Sequence, residues 1–202
     1  MMGQNKLNED NNFTNSITHE EIQTLPLHAY KGHVSVITDP VKLTRSLKEM
    51  EKAGHLGFDT ETRPAFVKGQ RYNVALMQFA AEERVWLVRL QQTGFIPELR
   101  EFLENPSVHK VGVGLRDDLN ALQRLQPFSP GGFVELTQLT RQVGVEVESV
   151  KKLTGLLLGF RISKSAQTSN WEAPTLTEKQ IEYAATDAWV CLQMYKKIEQ
   201  RL

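Results

Sequence analysis

At 202 residues, 40% hydrophobic and 24% charged, the chain is long enough for one sizeable core and reads as one globular domain, or one domain with a tail. A single cysteine, Cys191, excludes a disulfide framework and a Cys-rich zinc site. No apolar run approaches the roughly 20 residues that cross a bilayer, so a reducing, cytoplasmic setting without membrane contact is expected. The 24 basic and 24 acidic residues cancel, which weighs mildly against a nucleic-acid binder but leaves room for a basic strip beside an acidic cluster.

Residues 1 to about 16 are polar and Asn-rich, and predict a mobile tail without a signal-peptide core. With the short helix that follows, they make residues 1–29 a tail and leave 30–202 as the folded domain. Thr18-x-x-Glu21 is a capping-box signal for that helix, with Ile22 and Leu25 apolar and Pro26 as its stop. Residues 34–37 predict a strand, and Asp39-Pro40 opens a helix with Leu43, Leu47 and Met50 at helical spacing. Leu56-Gly57-Phe58-Asp59-Thr60-Glu61 is a strand closed by Arg63-Pro64, followed by a basic loop with Arg63, Lys68 and Arg71. Strands over 74–79 and 85–88 follow, joined by a hairpin, then a helix from Pro97 to about Leu103, a strand over 108–113 and a helix from Gly114-Leu115. Helices are predicted between about 137 and 162, and a last one after Thr177-x-x-Gln180. Three successive strands before helix–strand–helix predict an α/β domain with a mixed sheet.

Three stretches place acids where acids are costly. Asp59 and Glu61, two apart on a strand, share a face. Held together at low dielectric they repel unless a cation sits between them, and hard oxygen ligands suit Mg²⁺ or Mn²⁺. On the helix after Gly114, Leu115, Leu119, Leu122 and Leu125 form one stripe. Asp118 falls inside it, and Asp117 points outward. On the last helix Tyr183, Ala184, Asp187, Val190, Cys191, Met194, Tyr195 and Ile198 share a face, with Tyr183 and Asp187 neighbours at i, i+4. A carboxylate in an apolar stripe is expensive unless paired or bound to metal. Solvated edge acids, a helix-dipole role for Asp118 and a satisfied polar group at 187 are the plainer alternatives. Together, Asp59, Glu61, Asp118 and Asp187 have the number and order of a ligand set for two divalent cations about 4 Å apart, an arrangement suited to phosphoryl chemistry.

Asp59-x-Glu61, Asp118 within residues 111–118, and Tyr183-x-x-x-Asp187 resemble, in that order, the motifs of the DEDD 3′→5′ exonucleases, in the tyrosine subclass of the ribonuclease-H-like superfamily. Lys164-Ser165 through Ser169-Asn170-Trp171, and on to residues 183–188, is especially similar to Werner-type exonuclease domains; ribonuclease D is a more distant likeness. The resemblance spans about residues 30–195. It implies a mixed five-stranded sheet with helices on both faces, and stepwise release of 3′-terminal nucleoside monophosphates. It also implies two cations held by Asp59, Glu61, Asp118 and Asp187. Tyr183 would orient the attacking water; a phenol with a pKa of about 10 is a poor base at neutral pH. The sibling subclass places a histidine near the last acid, whereas the last histidine here is His109. Relatives often carry a helicase or an extra helical domain, whereas this sequence ends at Leu202, so substrate choice and processivity are expected to differ. Ribonuclease D-like proteins usually have Asp where Asn170 stands, which favours DNA over RNA.

The expected partner is the 3′ end of DNA or RNA. Arg116, Arg161 and Lys164, with Lys151 and Lys152, are candidate phosphate contacts, Asn170 flanks them, and Trp171 is either a base-stacking platform or a core residue. In this fold type Thr62 lies near the terminal nucleotide and is a candidate through its backbone. Two other classes compete: a non-catalytic nucleic-acid-binding module, which would usually have lost an acid, and a phosphatase using Asp59 as nucleophile, which would favour Asp-x-Asp.

Overall fold

Among the described residues, the apolar runs pair into one sheet of six strands: β1 (His33–Ile37), β2 (His55–Thr62), β3 (Val74–Ala80), β4 (Arg84–Arg89), β5 (His109–Gly112) and β6 (Phe133–Glu135). The computed structural model describes residues 15–201, so most of the expected N-terminal tail lies outside the described residues. Spatial order is β1-β4-β3-β2-β5-β6. β2, β3 and β4 pair antiparallel; β1 with β4, β2 with β5 and β5 with β6 pair parallel. β3 is buried at every position, as a near-continuous apolar run in a doubly covered sheet should be, with Gln78 the polar exception.

Among the described residues, eight helices accompany the sheet: α1 (His19–Thr24), α2 (Pro40–Ala53), α3 (Leu90–Thr93), α4 (Pro97–Glu104), α5 (Leu115–Leu125), α6 (Leu136–Gln142), α7 (Val150–Leu158) and α8 (Glu178–Glu199). Leu43, Leu47 and Met50 of α2, Leu99 and Phe102 of α4, and Leu115 and Leu122 of α5 pack with Phe58 and Phe79 on one face. Ala184 and Ala188 of α8 pack with Leu76, Ala80, Leu87 and Trp171 on the other, and α6 and α7 extend that side against Val111. Both sequence-predicted capping boxes form, at Thr18 with Glu21 and at Thr177 with Gln180. The mixed α/β sheet with helices on both faces is as expected. Among the described residues, no helix is long and apolar enough to cross a membrane.

The expected count of five strands is corrected to six. β6 is three residues long, too short to show an alternation, and is placed by what precedes it. Gly132 has φ +68°, and a Cβ at Gly131 would lie 2.0 Å from the Glu104 carbonyl oxygen. Two glycines therefore let the chain press past the end of α4 and lay Phe133–Glu135 beside β5, where the Lys110 N–H donates to the Gly132 carbonyl at 2.8 Å. The one-turn helix α3 was likewise absent from the sequence pattern.

Candidate active site

Gly57, Asp59 and Glu61 share the face of β2 that α8 covers. A Cβ on Gly57 would lie 1.9 Å from the Ala188 carbonyl oxygen, so the backbone of α8 rests directly on β2 at this point. Asp187, one residue before that contact, is thereby set against the acids of the strand. Carboxylate oxygens of Asp59, Glu61 and Asp187 lie within 4.8 Å of one another. Glu61 is 8% and Asp187 7% exposed, and Asp59 is half-buried. The pairing of β2 with β3 shifts register between Glu61 and Thr62, an irregularity at the strand end of the kind that re-aims side chains near sites.

Asp118 arrives from the opposite face with α5. As the helical spacing predicts, Asp117 is exposed and Asp118 is half-buried. Its carboxylate accepts from the Thr60 hydroxyl and does not belong to the three-acid cluster. A hydroxyl donor is a better neighbour for a buried carboxylate than three like charges. Glu135 anchors this helix: its carboxylate accepts from the Leu115 N–H at 2.9 Å and from the Thr137 N–H at 3.1 Å, tying the starts of α5 and α6 to β6. Sequence reasoning missed both Thr60 and Glu135. The only signal for Thr60 was its position on the opposite strand face between two acids.

Burial, then the charges of Asp187 and Asp118, push the Asp59 carboxyl well above its ordinary range, against the opposing Thr60 N–H. Burial first, then Asp59, Asp187 and Asp118, raise Glu61 to about 10. Burial raises Asp187 to about 7 although the Tyr183 hydroxyl and the Lys164 ammonium hold it down. Burial raises Asp118 to about 6 against the Thr60 hydroxyl. The four acids therefore cannot all be ionised near neutral pH by themselves. A donor set made wholly of carboxylate oxygens, starved of positive charge, fits a hard divalent cation. Burial, followed by the charges of Asp187 and Glu61, lifts the Tyr183 phenol above its usual value. It stays a hydroxyl, donating to Asp187, with its ring 6.0 Å from that of Trp171.

Asp59, Glu61 and Asp187 open into a cleft of about 260 Å³ that Lys151, Lys164 and Tyr183 also line. A larger hollow of about 450 Å³ lies at the other end of β2, beside His55 and Tyr195, away from the acid cluster. Of the proposed substrate contacts, Lys164 is exposed and lines the cleft. Arg116 is exposed on α5, and Thr62 is half-buried where β2 ends; neither lines the cleft. One assignment is corrected, that of Trp171, and two further side chains have structural partners of their own. Trp171 is 0% exposed, packed among Leu176, Tyr183 and Ala184, and presents no face for a base. Arg161 donates from Nε to the Leu25 carbonyl at 3.1 Å, and its backbone brackets Leu27, so it fastens the N-terminal segment. Asn170 uses its side-chain oxygen to accept the Glu172 N–H at 3.1 Å and closes a local turn. Gln78, directly across from Asp59 and fully buried, has no partner among the described residues for either atom of its amide.

A family model described as 3′-5′ exonuclease matches residues 34–202. The mouse (Mus musculus) bifunctional 3′-5′ exonuclease/ATP-dependent helicase WRN is 36% identical over 149 residues, which is 71% of this chain and 11% of that protein. DNA polymerase I of Aquifex aeolicus is 30% identical over 166 residues, covering 82% of this chain and 27% of the polymerase. This chain thus spans about a quarter or less of the length of these curated relatives. Among solved structures, the Nibbler EXO domain of Aedes aegypti superposes with a TM-score of 0.76 at 26% identity, covering 87% of this chain and 92% of that one.

Proposed function

Since this chain belongs to the 3′→5′ exonuclease family, whose model spans residues 34–202, we propose that it hydrolyses phosphodiester bonds at the 3′ end of nucleic acid and releases nucleoside monophosphates. The observation that carries this reading is the convergence of Asp59, Glu61 and Asp187 within 4.8 Å, from a strand and a helix far apart in sequence. Asp59, Glu61, Asp118 and Asp187 would hold two divalent cations, Mg²⁺ or Mn²⁺. Such a pair would supply a nucleophilic water near neutral pH and offset charge on the leaving oxygen.

The remaining work falls to the chain's own groups. The Tyr183 hydroxyl, kept protonated by its buried, acidic surroundings, orients the attacking water and does not take its proton. Lys164 and Lys151, on the rim of the acid cleft, neutralise the phosphates next to the scissile bond. Trp171 supports the reaction from beneath by holding the Tyr183 ring. DNA is favoured over RNA because Asn170 stands where ribonuclease D-like proteins usually carry Asp; the DNA polymerase I match points the same way.

Matched DNA and RNA oligonucleotides, labelled at the 3′ or the 5′ end, test this with Mg²⁺ or Mn²⁺ present and with Asp187→Ala as the control. Stepwise, metal-dependent shortening from the 3′ end, faster on DNA and abolished in the variant, is the expected result. Absence of 3′ release by the intact protein under every metal condition would overturn the reading.

A further inference from the structure

Gln78 is 0% exposed, and neither Oε1 nor Nε2 of its amide has a hydrogen-bond partner among the described residues. A buried, unpartnered amide is costly, and each such group in a folded protein calls for a cause. The strand around it sharpens the anomaly. β3 reads Val74-Ala75-Leu76-Met77-Gln78-Phe79-Ala80 and is buried throughout. A methionine at its centre would fill nearly the same space with no amide to satisfy.

The strand register shows what lies beside the amide. Gln78 is directly opposite Asp59 in the antiparallel pair of β2 with β3, and opposite Leu87 in that of β3 with β4. Directly opposed residues share a face with Cβ atoms about 5 Å apart, and residues two along a strand share that face too. The nearest neighbours of Gln78 on its face of the sheet are therefore Leu76, Ala80, Leu87 and Asp59. Three are apolar and pack with Ala184 and Ala188 of α8. Among the four, Asp59 alone can take a hydrogen bond from a side-chain amide. Its Oδ1 accepts from the Thr60 N–H at 2.9 Å, one donor for a carboxylate with about four lone-pair positions.

Resting on the nuclease reading above, and on its cation site in particular, we propose that Gln78 is a positioning residue. Its amide N–H donates to Asp59 and fixes that carboxylate in the orientation in which it serves a cation. Ligating carboxylates are characteristically held by a hydrogen-bond donor behind them. The residue type suits the task. A lysine here would neutralise the acids and compete with a cation, and a glutamate would add to the repulsion among them. A neutral amide supports an ionised carboxylate and does neither. Stability is given up at one interior position in favour of the site.

Mn²⁺ binding without nucleic acid, followed by the electron paramagnetic resonance of the free ion, tests this beside a urea titration in chelator. Gln78→Met removes the amide and keeps the length of the side chain. It is expected to weaken Mn²⁺ binding about tenfold while raising the metal-free urea midpoint. A merely structural role would not move the two in opposite directions. Leu87→Met, an equally conservative change on the other side of Gln78 from Asp59, is expected to keep the parent's Mn²⁺ affinity. Parent affinity in Gln78→Met would overturn the assignment. So would a loss matched in Leu87→Met, or one accompanied by a lower midpoint. Release from a 3′-labelled strand by the parent protein reports on the nuclease reading separately. Continued release with unmoved Mn²⁺ affinity in Gln78→Met sinks the role of Gln78 alone, whereas no release by the parent protein sinks the reading beneath it.

Discussion

Gly57→Ala should disable the acid cluster without touching an acid. Gly57 has no unusual φ to protect; its requirement is space. The added methyl carbon would sit 1.9 Å from the Ala188 carbonyl oxygen and 2.9 Å from the Leu192 nitrogen, both backbone atoms of α8. Close C···O contacts recur at about 3.3–3.6 Å, so α8 must retreat by about 1.4 Å or β2 must yield by as much. Backbone cannot swing aside as the end of a side chain can. The cost therefore falls at the upper end of the overpacking range, about 3 kcal/mol, which for a chain of this length lowers the melting temperature by about 6–12 °C. Because the clash is one residue from Asp187, the same retreat shifts that carboxylate relative to Asp59. A misplacement of about 1 Å in such a site can reduce turnover roughly a hundredfold.

Thermal unfolding and 3′-end release, the latter measured well below the lowered melting temperature, separate the two effects. Loss of release in a protein that is still folded, together with weakened stabilisation by Mn²⁺, is the expected pair of results. A Gly57→Ala protein with the parent's melting temperature and release rate would refute the claim that direct contact between α8 and β2 sets the site.

Burial raises Glu61 from 4.5 to about 10 and Asp187 from 3.8 to about 7 when no cation offsets their charge. The folded state thus holds protons that the unfolded chain releases, and stability is lost as pH rises through that window. Melting in chelator should fall from about pH 5 to about pH 9, with Mn²⁺ restoring most at the alkaline end; a flat profile would contradict the buried like-charge cluster. Trp171→Ala is expected to cost about 3–5 kcal/mol by denaturant titration. Trp171→Phe should keep single-strand affinity, and a binding loss with unchanged stability would instead place Trp171 in the substrate interface. Gln78→Leu removes an amide with no partner among the described residues and should raise stability by about 1–3 kcal/mol, seen as a higher urea midpoint. An unchanged or lower midpoint would mean that the amide is engaged beside Asp59.

What the sequence disclosed and what it hid divide along a physical line. Local periodicity states which way a side chain points. It separated Asp118 from Asp117 and put Asp59, Glu61 and Asp187 inward, and the fold agrees. Those acids were legible because a carboxylate on an apolar face is an anomaly detectable within a few residues of chain. Trp171 and Arg161 offered no such anomaly. A Trp is at home both in a core and on a binding surface, and the carbonyl that takes the Arg161 guanidinium belongs to Leu25, 136 residues away. Thr60 was hidden for the opposite reason: a hydroxyl is inexpensive on either face, so nothing marked it as the partner of Asp118. α8 falls between these cases. Its stripe was read correctly, yet every residue from Tyr183 to Ala188 is buried, because the helix is covered by the sheet on one side and by the Trp171 segment and α7 on others. The same enclosure that makes the stripe too narrow a description removes water from Asp187, and so makes a cation the natural partner for that carboxylate.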